Sequence, residues 1–325
     1  MDERLDVITS GAAALSGSGS LLRFESLATG VGNTPVVELE TADRLGARLF
    51  VKLEGNNPTG SVKDRACVAM LRKMVDDPSW CESKVILDAS SGSMGCSIAY
   101  FGRTLGSQVR IVSSSKLTPE KRFFIEYFGA ELDTIGTFTI EGNNFCRAEA
   151  QANPEKYYFL DQLHNSVNPQ IHHDTTGPEI LAQVPNVSAV IGSIGSGGTL
   201  LGVGRYIKGI REDVAVIAVE AESGTRIPGT AALIDGDYRT PFIAEGYEHK
   251  IFDTTIRVAE RDAVAIAQAL PAAGLFVGLQ TSAVVSAAYR AIEQFSLKGD
   301  VVLLSGDNGW KNIAALASKV RHEVI

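Results

Sequence analysis

Short β-branched runs alternate with segments of helical period almost from one end of this chain to the other. The runs are PVVEL (35–39), RLFVKLE (48–54), 84–89, 108–114, 188–193, 215–221 and 301–305. Between them, 62–75, 94–105, 118–128, 170–183, 198–209, 261–270 and 281–295 carry apolar residues at helical spacing. Strand, helix, strand in succession makes βαβ units, which pair their strands in parallel and cover them with helices. The pattern therefore predicts an α/β protein with mostly parallel twisted sheets, and 325 residues are enough for two domains. Ligands in such folds gather beyond the carboxyl ends of the strands. The loops after strands are the places to look for chemistry.

Several function classes drop out first. A net charge of −8 argues against a nucleic-acid binder. No apolar run approaches the roughly 20 residues that span a bilayer, so no membrane partner is expected. The four cysteines (Cys67, Cys81, Cys96 and Cys146) form no CxxC pair and have no matching histidine spacing. Free thiols in a reducing cytoplasm are expected, and no metal. The doublet His172–His173 lacks an HExxH context. The acidic N-terminus is unlike a secretory signal and reads as a mobile arm over 1–22.

Four loops carry the chemical signal. GNNPTGSVKDR (55–65) has the glycine spacing of a nucleotide P-loop, but Ser61 and Val62 intervene before Lys63. In the first turn of a helix, Lys63 meets the positive end of the helix dipole, which lowers its pKa. It is either a surface lysine or an amine suited to a Schiff base. DASSGSMG (88–95) opens a helix with small and hydroxyl residues, either as a plain capping turn or as a seat for a carboxylate. GSGGT (195–199) can curl its backbone amides around a phosphate, and Leu200 spoils a dinucleotide G-x-G-x-x-G. VGLQTSA (277–283) and LLSGDNG (303–309) form two more small-polar turns. The stretch 222–253 breaks the alternation and is either a surface loop or a substrate-facing one.

A phosphate cup, an imine-forming lysine and a separate carboxylate turn are reconciled by one ligand. Pyridoxal phosphate carries a phosphate and an aldehyde and acts on amino acids. The lysine comes late because it would hold an aldehyde carbon, not a β-phosphate.

GNTPVVEL (32–39), GNNPTGSVKDR, SSGSMG, HDTTGPEI and GSGGT, in this order, resemble the fold-type II pyridoxal-phosphate enzymes. The resemblance is nearest to the cysteine synthases (O-acetylserine or O-phosphoserine sulfhydrylases), in particular their B-type isozymes, and runs from about residue 30 to 312. It implies two three-layer α/β domains, as in the tryptophan synthase β-like fold. Residues 57–165 would be the smaller, moving, substrate-binding domain, and 23–56 with 166–325 the larger, cofactor-binding one. It implies that Lys63 is the internal-aldimine and catalytic lysine. Ser90, Ser91, Gly92, Ser93 and Met94, with Gln162, would take the substrate carboxylate. Gly195, Ser196, Gly197, Gly198 and Thr199 would take the cofactor phosphate, and Ser93 would touch the cofactor. Ser305 aligns with the partner of the pyridine nitrogen, with Gln280 at the other candidate position. Asp307 is expected to be a solvated turn residue. The implied reaction is β-replacement on an O-activated serine through an aminoacrylate, with a second, nucleophilic substrate, in a homodimer.

The chain also departs from the family pattern. The family's S-G-N-T reads Ser91-Gly92-Ser93-Met94, its G-I-S-S-G reads Gly278-Leu279-Gln280-Thr281-Ser282, and its G-I-G-A-G-F reads Phe242-Ile243-Ala244-Glu245-Gly246-Tyr247. Glu245 either faces solvent or passes the mouth of the site, where it would favour an amine over hydrosulfide as second substrate. The product would then be a specialised β-substituted alanine in place of cysteine. Two alternatives stand beside this reading. One is β-elimination, deamination or racemisation of serine or threonine, and the other is an inactive scaffold, against which the intact Lys63 speaks.

Overall fold

The computed structural model describes residues 20–40 and 46–319. The chain begins there with helix α1 (Ser20–Ala28), antiparallel β1 (Val36–Leu39) and β2 (Ala47–Leu53). Alternation follows through α2 (Lys63–Val75), β3 (Val85–Ala89), α3 (Ser93–Thr104), β4 (Val109–Ser113), α4 (Pro119–Tyr127), β5 (Glu131–Thr134), α5 (Thr139–Ala152) and β6 (Tyr157–Phe159). Helices α6 (Val167–Ile171) and α7 (Gly177–Gln183) are joined by a π turn over His172–Thr176. The rest comprises β7 (Val187–Ser193), α8 (Gly198–Ile210), β8 (Ala215–Ala221), α9 (Pro241–Glu248), β9 (Thr254–Val258), α10 (Glu260–Ala269), α11 (Leu279–Phe295), β10 (Gly299–Ser305) and α12 (Ile313–Lys319). Most of the expected arm, 1–22, lies outside the described residues, and Ser20–Leu22 already form the first turn of α1.

The strands form two sheets, as an α/β reading requires. One has six strands in the order β1-β2-β10-β7-β8-β9, and the other four in the order β5-β4-β3-β6. Every pairing except β1 with β2 is parallel. Side chains alternate across each strand, so both faces of a parallel sheet must be apolar. Leu49, Val51, Ala189, Ile191, Val301 and Leu303 enter one core together with α10 and α11. Val190, Val302 and Leu304 turn to the opposite core, packed under α7, α8 and α9. In the smaller sheet, Ile86 and Ile111 face α1 to α4, while Leu87 and Val112 face α5. Each sheet is thus the middle of three layers.

Strand β10, nearly the last element in sequence, pairs with β2 on one side and β7 on the other. The helices flanking this point, α8 after β7 and α11 before β10, pack on opposite faces of the sheet. Such a reversal opens a crevice at the carboxyl ends of the strands. Among the described residues no helix is long and apolar enough to cross a membrane.

Candidate active site

The loop after β2 delivers Lys63 to that crevice. It presses against the turn after β10: Val62 N–H donates to Gly306 O at 2.9 Å and Asn308 N–H to Gly60 O at 3.1 Å. The two glycines of the P-loop-like stretch exist for this contact. A Cβ on Gly55 would lie 2.9 Å from Asn308 N, and one on Gly60 2.4 Å from Asn308 Nδ2. Gly60 also has φ +83°, which other residues adopt only at a cost. Asp64 fastens the loop from below, accepting from Thr59 N–H at 2.6 Å and from Thr59 Oγ1 and Ser97 Oγ at 2.5 Å. Lys63 is the first residue of α2. Burial pulls its amine down to about 8, opposed by the Asp307 and Glu54 carboxylates and helped by the Lys311 and Lys121 ammoniums. Desolvation is the largest of these influences.

The loop after β7 makes the second wall. Gly197 is left-handed at φ +86° and caps α8. Cβ atoms here would stand 3.0 Å from Gly229 O at Gly195, 2.7 Å from Ile243 Cγ1 at Gly197 and 2.4 Å from Asn168 Oδ1 at Gly198. Only glycine lets this loop close so tightly. Thr240 Oγ1 ties it by donating to Ser196 O at 2.5 Å. Thr199 Oγ1 shares a 3.2 Å hydrogen bond with His172 Nε2, whose Nδ1 lies 2.9 Å from Thr176 Oγ1. Burial, with Arg65 and Lys63 nearby, holds His172 well below its ordinary pKa and so neutral. The histidine doublet that suggests no metal orients the Thr199 hydroxyl.

The third wall comes from the smaller sheet. Ser90 Oγ accepts from Gly92 N–H at 3.0 Å and from Gly95 N–H at 2.8 Å, which shapes the turn into α3. Gln162 Nε2 donates to Ala89 O at 2.5 Å. Ser90, Ser91, Ser93, Met94 and Gln162 line a cleft of about 310 Å3 together with Lys63, Gly195 and Ser196. That is the size of an ordinary small-molecule site. The fourth wall is the stretch 225–240, so the segment that breaks the alternation faces the cleft. It is bound across the rim, with Arg226 donating to Lys116 O and Tyr238 Oη 3.0 Å from His164 Nε2.

The structure thus brings Lys63, the glycine loop and the serine turn to one cleft. Gln280 reaches it too, donating to Ser193 Oγ and, at 3.1 Å, to Gly229 O. Ser305 is fully buried and shares a 2.9 Å hydrogen bond with Thr281 Oγ1. Two expectations are corrected. Glu245 lies on α9, pairs with Arg205 of α8, and is not among the residues lining the cleft. An arginine one helix away captures the carboxylate before it can reach the mouth. Asp307 is not solvated: it is 3% exposed, lines the cleft and accepts from Asn312 Nδ2 at 2.9 Å, while its Oδ1 is buried without a partner. The sequence reading also missed Lys116, Lys121 and Arg226, which line the same cleft.

Behind Lys63 lies a buried ion cluster. Arg65 donates to Glu54 at 2.7 and 2.8 Å and to Glu179 at 2.7 Å, and Lys52 Nζ donates to Glu179 at 2.6 Å. Burial opposes ionisation of Glu179, but Arg65 and Lys52 outweigh it and hold the carboxyl down to about 2. The cluster joins β2, α2 and α7.

These residues fit pyridoxal phosphate. The glycine loop leaves backbone amides and the Thr199 hydroxyl for a phosphate where a Cβ would fill the cradle. The depressed amine of Lys63 suits an aldehyde, and the orphaned Asp307 Oδ1 leaves an acceptor in the wall. No group of three or more candidate ligands that could hold a metal occurs among the described residues.

Comparison with known proteins gives the same picture. The family described as "Pyridoxal-phosphate dependent enzyme" matches residues 27–306. Cysteine synthase B of Escherichia coli is 30% identical over 264 residues, 80% of this chain and 85% of that protein. Cysteine synthase of Staphylococcus aureus is 28% identical, covering 86% of this chain and 92% of the other. The crystal structure of cysteine synthase from Entamoeba histolytica superposes with a TM-score of 0.81 at 26% identity, over 92% of each chain.

Proposed function

The chain belongs to the pyridoxal-phosphate dependent enzymes, in their cysteine synthase family, and from that premise we propose that it replaces the Cβ substituent of an O-activated L-serine by a nucleophile. The first substrate is O-acetylserine or O-phosphoserine, and the product is cysteine or another β-substituted alanine. The observation that carries this reading is the convergence of Lys63, the loop Gly195–Thr199 and the turn Ser90–Met94 on one cleft.

Pyridoxal phosphate, when bound, supplies an electron sink next to the substrate's α-carbon. The amides of Gly195–Gly198 and the hydroxyl of Thr199 hold its phosphate, with His172 steadying that hydroxyl. The turn Ser90–Met94 with Gln162 seats the substrate carboxylate and so aims the α-hydrogen. Lys63, whose pKa lies at about 8, is matched to taking the α-proton near neutral pH and returning one. Loss of that proton to Nζ lets the Cβ–O bond break with its electron pair going to the leaving group. The nucleophile then bonds to Cβ, and Lys63 reprotonates Cα. Residues 57–165 act as the smaller, moving unit against 23–56 with 166–325, and the enzyme works as a homodimer. Four cysteines without a disulfide support a reducing, cytoplasmic setting.

The test is mass spectrometry of products from the holoenzyme given each ester with hydrosulfide, then with amines. A β-substituted alanine from the native protein and none from Lys63→Ala is expected. Pyruvate as the sole product, or the opposite enantiomer of the substrate, would overturn replacement in favour of elimination or racemisation.

A further inference from the structure

Besides Lys63, a second lysine of the cleft has an ammonium without a partner among the described residues. Lys121, in the first turn of α4, is 4% exposed, and among the described residues its ammonium makes no hydrogen bond and no ion pair. Its stem crosses Gly92, where a Cβ would lie 2.4 Å from Lys121 Cδ. Gly92 is the N-cap of α3 and the centre of the turn Ser90–Met94. Only Cε and Nζ follow Cδ, so the ammonium lies against that turn, on the wall it shares with Ser91, Ser93 and Met94. Beside it Thr118 Oγ1, at the N-cap of α4, is also buried without a partner.

An ammonium withdrawn from water and left unpaired is unfavourable, and an anion beside it relieves that cost. The amides of Ser93 and Met94, first in their helix, have no intrahelical acceptor and point the same way in their demand for an anion. Met94 itself offers a thioether, which donates nothing. We propose that Lys121 is the counter-charge for the α-carboxylate of the amino-acid substrate, a binding residue of this chain supplied from α4 and not from the turn itself. The proposal rests on the reading that the cleft takes an amino acid.

The test uses two ligands that carry no leaving group, L-alanine and its amide L-alaninamide, titrated into holoenzyme by the change in the cofactor's visible band. Lys121→Met keeps the stem over Gly92 and removes the charge, while Lys121→Arg keeps the charge. In Lys121→Met the affinity for L-alanine falls on the order of 10- to 100-fold, that for L-alaninamide stays within about twofold, and Lys121→Arg recovers most of the loss. An unchanged ratio of the two affinities in Lys121→Met overturns the proposal. O-phosphoserine is titrated as a third ligand, and a loss confined to it also overturns the proposal, since it would assign Lys121 to the leaving group. If the native holoenzyme binds none of these ligands, the amino-acid reading falls and this proposal with it. A native protein that prefers L-alanine, beside a variant that prefers it equally, sinks only Lys121.

Discussion

Lys63 is neutral in half of the molecules near pH 8, because burial removes the water that would stabilise its charge. Attack on an aldehyde needs that neutral amine. The rate at which cofactor-free protein takes up pyridoxal phosphate should therefore rise with pH around a midpoint near 8. A midpoint at the ordinary lysine value, 10.5, would show that the amine is solvated. The same shift has a sign for stability. Between about 8 and 10.5 the unfolded chain binds more protons than the folded one, so cofactor-free protein gains stability as pH rises through that window. At this scale Lys63 and Gly195–Thr199 were legible because each lies in a contiguous loop of unusual composition. Lys121 was not, since in EKRFF it reads as an ordinary helix cation, and only its packing over Gly92 brings it into the cleft. Asp307 was misread for the converse reason: its burial depends on Asn312 and on the Lys63 loop docked beside it.

Among the elements, the central strands of both sheets were legible as apolar runs, because parallel strands are buried on two faces. The strands that escaped, β5 (ELDT), β6 (YYF) and β9 (TTIRV), are edges with half-exposed residues and no continuous run. Helix α5 was hidden by its sparse apolar residues, and α9 by the glycines and prolines around it. The segment 170–183 reads as one helix, and helical backbone does run through it, widened over His172–Thr176 by the π turn that aims His172 at Thr199. What fixes α2 against β2 and α7 is Arg65, 2% exposed between Glu54 and Glu179. Removing one partner of such a cluster strands buried carboxylates. Arg65→Met should cost about 3–5 kcal/mol, read as a lower urea midpoint at constant slope. A loss below about 1 kcal/mol would mean that Lys52 alone satisfies Glu179.

For the whole molecule, the same cluster spans the two proposed units, with Arg65 in the smaller and Glu179 in the larger. Glu179 ionises in the fold at about 2, far below its ordinary value of 4.5. Its contribution is complete above 4.5 and is lost as pH falls through 2. Thermal melts taken downward from pH 5 should show Glu179→Gln starting lower and losing less than the native protein. Parallel loss in both would place the acid sensitivity elsewhere. The strand order has a consequence in time. A ribosome releases the chain from its amino end, and β3 to β6 are complete once residue 159 has emerged. The six-stranded sheet has no centre until β10, at 299–305, arrives to join β2 to β7. The turn that seats the Lys63 loop, 306–308, comes later still. A nascent chain therefore carries its lysine for most of its synthesis without a place to hold it, and a shortened one never acquires it.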